Sequence, residues 1–152
     1  MIKSLEFTVS SPEELMRLGT QIAPMLRAAD VLFLIGDLGA GKTTLAKGIL
    51  SALTGKTDEV TSPTYNLVHI WDGGAFEIWH ADLYRLDGPA EVAQLGFDEA
   101  FERCLTLIEW PDRMGDLAPD DRLDIKIEKT LGARKVTLRP MSQAWKDRLH
   151  AP

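Results

Sequence analysis

The chain has 152 residues, with 17 Lys and Arg against 23 Asp and Glu and a net charge of −6. The length suits one domain, 1–152, large enough to bury a core. Its basic residues are scattered, so the cationic clusters that displace counterions are missing, which argues against tight direct binding of DNA or RNA; no apolar run nears 18 residues, which argues against a membrane-spanning helix.

The first residues, MIKSLEFTVSSPEEL, carry acids early and have no long apolar stretch. They read as mature structure, not as a signal peptide. The single cysteine, Cys104, cannot form an internal disulfide, and this fits a reducing cytoplasm. It stands before an apolar run without Cys or His at ligand spacing and reads as a core thiol.

Residues 2–9 read as a first strand. Ser11, Pro12 and Glu14 form a capping-box start for a helix whose stripe is Leu15, Leu18, Ile22, Met25 and Leu26. Residues 31–35, VLFLI, read as a buried strand. That strand breaks into Gly36, Asp37, Leu38, Gly39, Ala40, Gly41, Lys42 and Thr43, with Thr44 next. The pattern is G-x-x-x-x-G-K-[ST], the phosphate-binding P-loop, with a strand before it and a helix after it. Backbone N–H groups at a helix N-terminus would cradle phosphates. Lys42 would reach the β- and γ-phosphates of a nucleoside triphosphate, and Thr43 would ligate Mg²⁺.

The helix is expected to run to about Leu53 and stop at Gly55. Residues 56–65 read as a loop, 66–71 as a strand, Asp72-Gly73-Gly74 as a hairpin turn and 75–82 as the return strand. Alternation puts Phe76, Ile78 and His80 on one face. Residues 83–88 read as a loop, 89–95 and 97–103 as short helices, and 105–108 as a second buried strand ending at Glu109, Trp110 and Pro111. Residues 122–128 and 134–139 read as strands joined by a turn at Gly132, and 142–149 as a terminal helix. The expected fold is α/β of the P-loop NTPase type: a mixed, mostly parallel sheet with helices on both faces and antiparallel hairpins.

A hydrolytic site needs Mg²⁺, a second carboxylate and a group that orients water. LTLIEW, 105–110, has the Walker-B arrangement and would deliver Glu109 to the carboxyl edge of the sheet. IWHADLYRL, 78–86, places Asp82 at another strand end, to hold Mg²⁺ through water or to position the attacking water. His80 shares a face with Asp82 and could orient it. TSPT, 61–64, offers Thr64 as a γ-phosphate sensor. The catalytic candidates are Lys42, Asp82 and Glu109, and the metal candidates are Thr43, Glu109 and Asp82. Which acid ligates directly stays open. Arg85 and Arg113 are the candidate cations for transition-state charge. Trp110 could cover the nucleotide or contact a partner.

GDLGAGKTT, TSPTYNLV, HADLYRL and IEWPDR, in that order and at that spacing, resemble the TsaE (YjeE) family, the bacterial ATPase of tRNA threonylcarbamoyladenosine (t6A) biosynthesis. The resemblance spans about residues 5–140. It implies ATP binding, slow hydrolysis and work beside a TsaB–TsaD protein pair that performs the modification and holds the tRNA. It also implies functional roles for Lys42, Thr43, Asp82, Glu109 and Trp110. Trp79 and Ala81 depart from the aromatic residues that many relatives carry there. An acidic chain fits a role in which the partner, not the ATPase, contacts tRNA. No N-K-x-D run for reading guanine follows the P-loop, so ATP is favoured over GTP.

Two other functions use the same P-loop. A small-molecule kinase needs an acceptor site and usually an Arg-rich lid, and no such insertion is present. A non-catalytic, nucleotide-gated adaptor has no need of acids at 82 and 109.

Overall fold

The computed structural model describes residues 4–56 and 67–150. Among these residues seven strands form one sheet: β1 (Leu5–Val9), β2 (Val31–Ile35), β3 (Val68–Asp72), β4 (Glu77–Asp82), β5 (Leu105–Glu109), β6 (Leu123–Thr130) and β7 (Ala133–Pro140). Their order is β1-β7-β6-β2-β5-β4-β3. The pairs β6–β2, β2–β5 and β5–β4 are parallel, and the outer pairs are antiparallel. Five strands therefore point one way, and only β3 and β7 oppose them. The mixed, mostly parallel sheet read from the sequence is the sheet observed.

The parallel centre is apolar on both faces, as strands covered on two sides require. In β2, Leu32 and Leu34 face a core shared with α1 (Pro12–Ile22), α2 (Lys42–Thr54) and α5 (Gln143–Leu149), while Val31 and Phe33 face a second core under α3 (Pro89–Val92) and α4 (Phe97–Arg103). The helix α1 starts at Ser11, whose hydroxyl accepts from the Glu14 N–H at 3.1 Å; the Glu14 carboxylate accepts from the Ser10 N–H at 2.7 Å. Leu15, Leu18 and Ile22 are its buried stripe, as the 3.6 period anticipates.

The crossing of α1 and α2 is unusually close. A Cβ on Gly48 would stand 2.0 Å from the Met16 carbonyl oxygen, and one on Gly19 would stand 2.4 Å from that of Leu45. Two bare backbones thus set the distance at which the helix carrying the phosphate loop lies on its neighbour.

The chain between Trp110 and Ala118 differs from the sequence reading, which assigned it no element. It winds as 3₁₀ turns over Pro111–Leu117, burying Pro111 and placing Met114 in the second core. Pro111 ends the ladder because it has no N–H to give. Both β6 and β7 run longer than anticipated, and only Leu131 and Gly132 separate them. The helix anticipated at 89–95 is α-helical to Val92 and 3₁₀ over Ala93–Leu95. At α5, Arg148 donates two hydrogen bonds of 2.8 Å to the Asp30 carboxylate, fastening this helix to the entry of β2. No helix among the described residues is long and apolar enough to cross a membrane.

Candidate functional site

The apolar run of β2 ends at Ile35, and the loop 36–41 carries the chain into α2. Gly41 has φ +116° and caps the helix. Only glycine adopts that conformation without strain. A Cβ there would also stand 2.4 Å from Leu15 Cδ2. The loop closes on itself through Ala40 N–H to the Asp37 carbonyl at 3.0 Å. Gly36, Asp37, Leu38, Gly39, Ala40, Gly41, Lys42, Thr43 and Thr44 are thus contiguous around the N-terminus of α2.

Register brings the acids to this loop. Asp82 and Glu109 are paired residues at the ends of the parallel neighbours β4 and β5. Paired residues share a face, and Ile78 and Leu107 show that this face is the one α2 covers. Both carboxyls are almost wholly buried. The Thr43 hydroxyl lies 3.2 and 3.1 Å from the two oxygens of Glu109, and the Asp82 Oδ1 accepts from the Tyr84 N–H at 3.0 Å.

His80 is fully buried, and its Nε2 lies 2.7 Å from Glu109 Oε2. The sequence reading had paired His80 with Asp82. The register explains the change: His80 stands opposite Leu107, and strand side chains lean along the strand, so the ring meets the next same-face residue on β5. A carboxylate can only accept, so in this pairing Nε2 is the donor, and Nδ1 has no partner among the described residues.

Lys42 is 5% exposed. Its ammonium donates to the carbonyls of Gly36 and Asp37 and lies 4.1 Å from the centre of the Trp110 ring. Burial pushes its pKa below the usual lysine range. Glu109, Asp82 and Asp37 pull it back up in part, and Lys129 adds to the lowering. Trp110 itself has φ +58° and packs on Tyr84, ring centres 4.9 Å apart.

Three cavities surround the loop. One of about 170 Å³ is lined by Leu38, Lys42, Thr43, Asp82, Glu109 and Trp110, together with Gly39, Gly41 and Thr44. A second, of about 380 Å³, shares Gly39, Gly41 and Thr44 with the first and extends to Ser10, Ser11, Pro12 and Arg134. A third, of about 750 Å³, lies against Phe33, Ile35 and the 3₁₀ segment and shares only Trp110 with the first. Neither Arg85 nor Arg113 lines any of the three. Arg113 is taken up by Asp112 at 3.0 Å and the Tyr84 carbonyl at 3.5 Å. Thr64 and the rest of TSPT lie outside the described residues. Cys104 is buried, and burial raises its pKa, as suits a core thiol.

Sequence reasoning missed two cations that reach the loop from the β6–β7 hairpin. Lys129 Nζ donates to the Leu38 carbonyl at 2.9 Å, and Arg134 Nε donates to that of Ala40 at 3.1 Å. Alternation along β6 could show which residues share a face, but not which loop lies beside that face.

Comparison with known proteins shows the family. The profile of the family described as "Threonylcarbamoyl adenosine biosynthesis protein TsaE" matches residues 9–136. The chain belongs to the TsaE family. It is an ATP-binding protein of t6A biosynthesis and a weak ATPase that acts with a partner complex. It is 38% identical over 121 residues to the "tRNA threonylcarbamoyladenosine biosynthesis protein TsaE" of Rickettsia conorii, covering 80% of this chain and 69% of that one. The protein of the same description from Bacillus subtilis is 36% identical over 129 residues, covering 84% and 80%. That from Haemophilus influenzae is 34% identical over 143 residues, covering 90% of each. The crystal structure of B. subtilis YdiB superposes with a TM-score of 0.83 at 30% identity, covering 98% of this chain and 93% of that one.

Proposed function

We propose that this chain, as a single domain, binds Mg²⁺-ATP at the loop 36–44 and hydrolyses it slowly in the cytoplasm, in support of threonylcarbamoyl transfer to tRNA by a TsaB–TsaD-like pair that itself holds the tRNA. The observation that carries the reading is the meeting of Thr43, Glu109 and Asp82 beside Lys42 at one helix N-terminus. Hydroxyl and carboxylate oxygens are the donors a hard cation prefers. No cluster of three or more metal-ligating His, Cys, Asp or Glu exists among the described residues. That suits Mg²⁺, which is held by one or two protein oxygens together with substrate phosphates. Thr43 and Glu109 would hold the ion directly, and Asp82 through water. When bound, the ion neutralises charge on the phosphates.

The protein's own groups do the rest. Lys42 exchanges its two loop carbonyls for phosphate oxygens. His80 fixes the carboxylate of Glu109. Asp82 accepts a hydrogen bond from the attacking water. The water oxygen bonds to the γ-phosphorus, the bond to the β–γ bridging oxygen breaks, and ADP, phosphate and a proton leave. Thr64 remains the candidate γ-phosphate sensor. The nucleoside end belongs in the 380 Å³ cavity, which shares Gly39, Gly41 and Thr44 with the phosphate cavity.

The test measures phosphate release from γ-labelled ATP with and without the partner pair and tRNA. Label in free phosphate, with turnover raised by the partners, is expected. Label in a phosphorylated small molecule, or turnover that is near maximal alone and indifferent to the partners, would overturn the reading.

A further inference from the structure

The β6–β7 hairpin places two like charges directly opposite each other, since Lys129 pairs with Arg134 in the antiparallel register. Like charges at paired positions destabilise a sheet. Here each cation has an acceptor on the phosphate loop, and the two acceptors divide the loop between them. Arg134 holds the carbonyl of Ala40, which lines the 380 Å³ cavity at the nucleoside end. Lys129 holds the carbonyl of Leu38, which lines the cavity containing Lys42, Thr43, Asp82 and Glu109 and does not line the other.

Lys129 therefore bonds the part of the loop that borders the acids, while its own side chain lines the neighbouring 750 Å³ cavity. Its Nζ is 3.4 Å from the point a Cβ on Gly39 would occupy, so nothing but bare backbone separates it from the loop. Its charge is felt at Lys42, whose protonation it opposes. An ammonium on a flexible four-carbon stem can leave one carbonyl for a phosphate oxygen without moving the backbone. Charge on the γ-phosphoryl oxygens is what a phosphoryl-transfer site must stabilise; Arg85, Arg113 and Lys129 all stand outside the lining of that cavity, and Lys129 is bonded to the loop that borders it.

Resting on the ATPase reading above, we propose that Lys129 is a substrate-contacting cation that moves from the Leu38 carbonyl to the γ-phosphate of bound ATP and supplies, within the chain, charge that other P-loop enzymes take from an arginine finger. The contact exists with ATP and not with ADP, since ADP has no γ-phosphate.

The experiment compares ATP and ADP affinities by calorimetry, together with turnover, for the unaltered chain, Lys129→Ala, Lys129→Arg and Lys42→Ala. Lys129→Ala is expected to weaken ATP roughly tenfold, as loss of a charge-assisted hydrogen bond does, and to leave ADP within about twofold. Turnover should fall roughly ten- to a hundredfold, and Lys129→Arg should restore most of both. Lys129 is exposed and faces a like charge at its paired position, so Lys129→Ala should melt no lower than the unaltered chain. ATP and ADP affinities that fall together, or that both stay put, would overturn the proposal and leave Lys129 as a brace of the loop. In that outcome, ATP binding by the unaltered chain that is lost in Lys42→Ala would keep the ATPase reading standing. Absence of ATP binding by the unaltered chain would remove that reading and this inference with it.

Discussion

The hydroxyl of Thr43 lies 3.2 and 3.1 Å from the two oxygens of Glu109, a residue 66 positions further along the chain. The two groups satisfy each other. A cation would enter between them, exchanging one hydrogen bond for coordination by both. Glu109→Ala should lower ATP turnover about a hundredfold or more, because a preorganised charge at the phosphoryl site is lost. Asp82→Ala should do the same, while both variants keep ATP binding in the absence of Mg²⁺. Phosphate release and nucleotide titration with and without the ion check this. Unchanged turnover in both acid variants would remove the mechanism.

Lys42 gives a pH dependence with a definite sign. Burial lowers its pKa in the folded chain, so the unfolded chain holds this proton more firmly. Stability attributable to Lys42 therefore rises with pH, in the window between its lowered pKa and the ordinary lysine value. ATP affinity should run the other way, falling as pH rises through the lowered pKa, since a neutral amine loses its attraction for phosphate. Calorimetric titrations from neutral to alkaline pH read the midpoint, and a decline only where ordinary lysines titrate would contradict the burial. Lys42→Ala should weaken ATP binding at every pH below that midpoint.

Trp110 should report nucleotide. Its ring lies beside the Lys42 ammonium and against Tyr84, and phosphate would draw that ammonium away. Saturable change in tryptophan emission on adding ATP is expected. Trp110→Phe should abolish it, although Trp71, Trp79 and Trp145 remain. A signal that survives this substitution would come from elsewhere in the molecule.

The closeness of α1 to α2 predicts a stability effect remote from the chemistry. A methyl on Gly48 has no room beside the Met16 carbonyl, so Gly48→Ala must push the helices apart. The cost should be about 1–3 kcal/mol, the range for an overfilled contact. Denaturant unfolding measures it. A neutral result would mean that the two helices separate freely.

The fold was legible where one physical signal dominates. The continuous apolar runs of β2 and β5, the alternation in β6 and the cap at Ser11 each named their element. Asp82 and Glu109 were legible because an acid at the end of an apolar run has few other reasons to be there. The partner of His80 was not, because it depends on the register of β4 against β5, which alternation within one strand does not contain. The same holds for Lys129 and Arg134, whose positions follow from strand order. Gly19 and Gly48 look like any helical glycine until their helices are seen to cross.

Trp110 takes a left-handed backbone, φ +58° and ψ +52°, immediately before a proline. For a residue with a Cβ that conformation costs about 1–2 kcal/mol, and glycine would relieve it. Glycine there would also remove a ring that packs on Tyr84 and on the second core, a loss of about 3–5 kcal/mol when a tryptophan is fully packed. The packing of the ring thus offsets the strain of the backbone, and the covering of the phosphate lysine comes with it. A screen of substitutions at 110 for thermal resistance should retain aromatic residues rather than enrich glycine.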